Sequence, residues 1–219
     1  MKLKNIISMS VLLGGLVLSS CNPGGNEKRY TVSEEEFNSG CSAEKLIANM
    51  TSLNFTATFR ESVGTKRYEY LTEFDNGKIH SVTSYDEFYI RFYENTYVPS
   101  AETWKFDGIY RESEDDERIK VGPLVDTLPD DIILPTVANS FSYSEIQFDA
   151  ETSSYKLIEE PKILNLYYYY TDFEAKFEDG KIMSFKYKYY DSFSPEVVYD
   201  TSVEITKYGT TTVNVPNIN

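Results

Sequence analysis

The chain is dominated by alternation with a period of two. Phe55, Ala57 and Phe59 alternate with Thr56, Thr58 and Arg60, and beyond Val63-Gly64-Thr65 the residues Tyr68, Tyr70 and Phe74 alternate with Arg67, Glu69 and Glu73. A pleated strand sends successive side chains to opposite faces, so this pattern predicts half-buried antiparallel strands from Leu53 onward. Asp75-Asn76-Gly77-Lys78 carries the Asn-Gly dipeptide of a tight hairpin. Ile79 to Tyr85 form the return strand, Phe88 to Tyr97 follow with aromatics on both faces, and Trp104 to Tyr110 repeats the hairpin signal at Asp107-Gly108.

Between Val121 and Phe141 the alternation stops. Pro123, Pro129 and Pro135 separate short apolar clusters, which predicts one or two brief helices laid over part of the sheet. Strands resume at Ser144 to Asp149 and Tyr155 to Glu159, then as one long run from Ile163 to Phe177, a hairpin across Asp179-Gly180 to Ile182 through Tyr190, and a last strand from Val197 to Tyr208. Phe74 to Val82 and Phe177 to Phe185 echo one another around Asn-Gly and Asp-Gly, which selection of the same turn explains as well as duplication does. Upstream, Ser42 is a plausible N-cap for a helix over Ala43 to Met50, packing through Leu46, Ile47 and Met50. About ten strands and two small helical elements predict a mostly β, α+β domain built on one large antiparallel sheet.

The amino terminus follows a different rule. Lys2 and Lys4 precede an apolar stretch from Ile6 to Ser19, of signal-peptide length and too short to span a bilayer comfortably. It closes on Leu18-Ser19-Ser20-Cys21, which resembles the lipobox of bacterial lipoproteins, in which the cysteine is acylated and becomes the first residue. This predicts a signal peptide over 1–20, lipidation at Cys21, a flexible polar tether over 21–40 and a single domain over 41–219. Two or more acyl chains give stable attachment at about 0.8 kcal/mol per buried methylene. A coil of about 20 residues would hold domain and anchor about 25 Å apart.

Composition narrows the chemistry. The 219 residues carry 35 Asp and Glu against 21 Lys and Arg, a net charge of −14, which disfavours nucleic acid as a partner. Loss of residues 1–20 removes two lysines and no acid, so the remainder stands at −16. One histidine and two cysteines exclude a His-rich or Cys-rich metal site and a disulfide scaffold, and no cofactor motif is present. Once Cys21 is acylated, Cys41 has no partner for an internal bridge, and a buried apolar thiol is the favoured reading. The acidic run Glu112 to Glu117 reads as a solvated loop tip.

Lipobox, polar tether, short helix, long antiparallel meander, mid-chain helical insert and further strands together resemble the LolA-like half-barrel lipoproteins, including the LppX and LprG group. The ending Tyr208-Gly209-Thr210-Thr211-Thr212-Val213-Asn214-Val215-Pro216 is similar to the closing strand of that group, with its proline one position early. The resemblance implies an unclosed half-barrel whose concave face, covered by short helices, holds acyl chains. The expectation is therefore a non-catalytic, extracytoplasmic lipoprotein, anchored in the bacterial cell membrane through lipid on Cys21. Tyr68, Tyr70, Phe88, Phe92, Tyr168, Tyr170, Phe185 and Tyr187 are the candidate ligand-lining residues. The alternative is a cell-surface module that binds polysaccharide or protein through exposed tyrosines. A lidded apolar cavity favours the first; a filled core with an outward tyrosine strip favours the second. An enzyme is disfavoured by the lone His80 and by the absence of a nucleophile elbow or phosphate-binding glycine loop.

Overall fold

The computed structural model describes residues 28–86, 90–99, 106–111, 120–121, 132–165 and 167–214, with side chains described outside 85–131. Two short helices come first, α1 (Glu34–Cys41) and α2 (Ala43–Ala48). The strands are β1 (Asn54–Val63), β2 (Lys66–Asp75), β3 (Lys78–Asp86), β4 (Ile90–Pro99), β5 (Phe106–Arg111) and β6 (Lys120–Val121), then β7 (Ile146–Asp149), β8 (Ser154–Leu157), β9 (Lys162–Ile163), β10 (Tyr168–Glu178), β11 (Lys181–Asp191) and β12 (Ser194–Thr206). All join one antiparallel sheet in the order β6-β5-β4-β3-β2-β1-β12-β11-β10-β8-β7, with β9 also on β10. The ends of this order do not pair, so the sheet is an unclosed half-barrel with short helices over one face.

Register decides which residues share a face. Ala57 stands opposite Thr72 and Ile205, and Phe59 opposite Tyr70 and Val203, while Phe185 faces Val203 from the other side. The inner face therefore carries Phe55, Ala57, Phe59, Phe74, Ile79, Phe185, Val203 and Ile205, all of them in or against the core. The outer face carries ion pairs such as Arg60–Glu69 at 2.6 Å and Lys186–Glu174 at 2.8 Å.

The two matching hairpins adopt matching turns. Asn76 and Gly77 have φ of 47° and 93°, and Asp179 and Gly180 have 50° and 80°. Positive φ at both central positions fits the right-handed twist of the flanking strands and favours Asn-Gly and Asp-Gly. Both turns lie at the end of the sheet where α1 packs. A Cβ on Gly180 would come within 2.9 Å of Glu36 Oε1 and 3.1 Å of Arg29, so the glycine also permits a close approach.

The structure corrects several expectations. Residues 34–40, assigned to the flexible tether, belong to α1. Ser33 caps that helix in a reciprocal capping box with Glu36, and Phe37 and Cys41, four apart, reach the core fully buried. Val32 is also buried, where the Tyr143 and Tyr155 hydroxyls donate to its carbonyl at 2.7 Å and 3.1 Å. The polar run Glu34-Glu35-Glu36 hid a helix start, because acids are favourable in a first turn. Asp107-Gly108 is not a turn; it lies inside β5, across from Val98 and Tyr97. The run from Ile163 to Phe177 is two strands, since β9 folds back on β10 with Asn165 Oδ1 accepting from the Tyr167 and Tyr168 amides. Tyr208 to Thr210 form a turn after β12, and the chain continues without strand pairing, held by Thr211 N on Asn54 Oδ1 at 2.9 Å and Val213 N on Asp75 Oδ2 at 3.1 Å. That last contact draws the Asp75 carboxyl below its usual range.

The helix predicted over Ala43 to Met50 is the shorter α2, Ala43–Ala48, with Met50 in a following 3₁₀ turn. Ser42 sits at its N-cap, but its side chain makes no capping bond; the Ala43 amide is instead taken by Asn139 Oδ1 at 3.1 Å. Cys41 is a buried free thiol whose ionisation burial suppresses. No helix among the described residues is long and apolar enough to cross a membrane.

Candidate functional site

The inner face is covered by α1, α2 and the segment from Ile132 to Glu145. This segment has no regular helix among its described residues, only 3₁₀ turns at Val137–Asn139 and Tyr143–Glu145. Its amide at Ile133 donates to Thr72 Oγ1 on the inner face at 3.1 Å, and Phe141 packs on Phe173 with ring centroids 4.2 Å apart. Lys162 fastens the far end, donating to Ser140 O at 2.6 Å, pairing with Glu145 at 2.5 Å and lying over the Phe141 ring.

Cover and sheet leave a groove of about 320 Å³ between them. Phe59, Phe185, Tyr187 and Val203 supply its floor; Ile47 and Val137 are among its cover residues. Its volume lies at the lower end of the range for small-molecule sites. A larger cavity of about 670 Å³ has a different character, for its wall includes Lys156, Asp172, Glu174, Lys186 and Lys188. Those lysines already pair with carboxylates, at 2.6 Å for Lys156–Asp149 and 2.8 Å for Lys188–Asp172.

The groove runs into a tyrosine-rich part of the inner face. Thr201 stands across from Glu61 on one side and Tyr187 on the other, Tyr68 stands across from Glu61, and Tyr189 across from Tyr199. Tyr189 and Tyr199 stack at 4.3 Å with planes 7° apart. The Glu61 carboxylate is half-buried and accepts long hydrogen bonds from Tyr189 Oη and Thr201 Oγ1, both at 3.4 Å. Desolvation raises its pKa above the usual carboxylate value. Burial, with added repulsion from Tyr170 and Glu61, pushes the Tyr187 hydroxyl up to about 12; burial and the Glu61 charge also raise Tyr189 and Tyr70.

Compared with family models, curated proteins and solved structures, the chain matches none.

Six of the eight candidate lining residues share the inner face by register. Phe185 and Tyr187 line the groove. Tyr70 meets Phe59 edge-on at 5.6 Å, and Tyr170 contacts Phe141 at 5.2 Å and Tyr187 at 5.3 Å. Tyr68 lies further along β2 opposite Glu61, and Tyr168 is an exposed residue at the start of β10. Phe92 occupies the position across from Ser84, out of phase with the inner-face positions Ile79, Ser81 and Thr83. Phe88 and Cys21 lie outside the described residues. Sequence reasoning missed Glu61 and Tyr189. Alternation through β1 puts Glu61 in phase with Phe59, so an acid on the apolar phase was the available signal. His80 pairs with Glu73 at 3.0 Å on the outer face, away from the groove. No group of three or more His, Cys, Asp or Glu able to hold a metal occurs among the described residues.

Proposed function

We propose that the chain is a membrane-anchored extracytoplasmic lipoprotein of LolA-like type that binds an acyl chain in the groove beneath its cover, without catalysis. The observation that carries this reading is the groove itself: an apolar cavity on the inner face of an unclosed sheet, floored by aromatic and β-branched residues and covered by weakly regular chain. Each methylene transferred from water into such a site is worth about 0.8 kcal/mol, so eight would give about 6 kcal/mol before ordering costs. The cover has only 3₁₀ turns and docks through buried residues such as Val137 and Phe141, so it lacks the continuous backbone ladder that holds the sheet and can open locally more cheaply than the sheet can. The anchor would be Cys21, seven residues before Lys28, a span of at most about 25 Å. Lys28 pairs with Glu178 and Arg29 N with Asp179 Oδ1, so the tether would leave from the β10–β11 turn.

A second reading keeps one observation in its favour. Tyr169 and Tyr190 stack on the outer face at 4.8 Å, and Tyr167 stacks on the exposed Phe193 at 5.1 Å, an outward aromatic strip that would suit a surface-binding module. Titration with a fluorescent long-chain alcohol, which carries no head-group charge, separates the readings when paired with Ala43→Phe, which places a ring at the groove wall. The groove reading expects saturable binding that weakens at least tenfold in the variant with its thermal transition retained. Equal binding by the two proteins would remove the groove from the account.

A further inference from the structure

Glu61 is an acid on the apolar phase of β1, in step with Phe59. Several outer-face carboxylates meet a cation, as Glu174 meets Lys186 and Asp172 meets Lys188. Glu61 lies on the inner face, half-buried, and its described partners are hydroxyls at 3.4 Å with no cation among them. A partly desolvated carboxylate without a countercharge is costly. Around it stand tyrosines: Tyr189 in contact, Tyr199 stacked on Tyr189, and Tyr187 across Thr201. Ring faces attract weakly hydrated cations, and a carboxylate beside them adds direct charge complementarity. Calcium or magnesium would require more oxygen ligands than one carboxylate and two hydroxyls provide. Thr83, buried on the same face opposite Tyr70, has a hydroxyl with no hydrogen-bond partner among the described residues.

We infer that Glu61, with Tyr187, Tyr189 and Tyr199, is a binding site for an organic ammonium group, carried as the head of the amphiphile whose tail enters the adjoining groove. The tail part rests on the acyl-groove reading; the ammonium site does not. Tyr187 links them, since it lines the groove and stands one strand from Thr201 and two from Glu61. The ligand class is thus an amine or quaternary ammonium amphiphile, in preference to a fatty acid, whose carboxylate Glu61 would repel.

The test uses the purified protein and three ten-carbon probes below their micellar concentrations: decyltrimethylammonium, decanol and decanoate, measured by calorimetry. Decyltrimethylammonium is expected to bind at least tenfold more tightly than decanol, with decanoate weakest. Glu61→Gln should cut the ammonium-to-alcohol affinity ratio at least tenfold, whereas Glu196→Gln, at an exposed position, controls for the net negative charge. Tetramethylammonium, which has no tail, is followed by tyrosine ring resonances and should shift those of Tyr187, Tyr189 and Tyr199 only while Glu61 is present. If decanol binds but tetramethylammonium leaves these rings unmoved, the ammonium site is refuted and the groove reading stands. If tetramethylammonium binds in a Glu61-dependent way and decanol does not, the groove reading fails alone. An unchanged affinity ratio in Glu61→Gln, or ring shifts produced by maltose in place of the ammonium, overturns the inference.

Discussion

Replacing Phe37 with alanine tests whether α1 is part of the domain or an ornament on its tether. The helix has only eight residues, too few to be stable alone in water, so its order must come from packing. Phe37 is 0% exposed, with its ring 5.8 Å from Tyr143 and 6.0 Å from Phe177. Deleting a buried phenylalanine ring costs about 3–5 kcal/mol, against about 1 kcal/mol for loss of the Ser33 cap. For a domain of this size that corresponds to about 6–20 °C in Tm, a large share of a total stability of about 5–15 kcal/mol. Urea and thermal unfolding of Phe37→Ala beside the exposed control Ser39→Ala give the comparison. A loss under about 1 kcal/mol, equal to that of the control, would refute the packing argument and return residues 34–40 to the tether.

Acid should report on the clamp at the same helix. Arg29 and Ser33 hold the Glu36 carboxyl at about 2, below its ordinary value of 4.5, so its stabilising contribution is complete above the ordinary value and is lost as pH falls through about 2. Glu36→Gln should therefore be less stable than the parent near neutral pH, with the gap closing between about pH 4.5 and 2; a gap independent of pH would contradict this. Cys21→Ser should abolish acylation and move the protein from the membrane to the soluble fraction, and continued palmitate labelling of the variant would remove the lipoprotein assignment.

Much of the sheet was legible because burial on one face writes itself into every second residue. Phe55, Ala57 and Phe59, or Tyr68 and Tyr70, needed only the period of two to be placed together, and Asn76-Gly77 and Asp179-Gly180 marked their turns by requiring positive φ. Signals of the same kind misled where context overrode them. Asp107-Gly108 is a turn dipeptide held in a ladder, and Ile163 to Phe177 is continuous in β propensity but folded at Asn165, whose side chain captures two amides. The helix at Glu34 was hidden by its own acidic first turn, with Phe37 and Cys41 as its only apolar anchors. The groove was partly legible, through Phe185 and Tyr187 on its floor. Its cover was not, because Ile133, Ser140 and Asn139 act through backbone and side-chain contacts that no periodicity records.

The central claim is that the groove holds an acyl chain, and the direct measurement is lipid extraction with mass spectrometry on the intact protein purified from a lipid-containing host. The account predicts a copurifying amphiphile in stoichiometric amount, reduced in Ala43→Phe. Protein that carries no extractable lipid and fails to bind added decanol would contradict it and leave the outward aromatic strip as the binding surface.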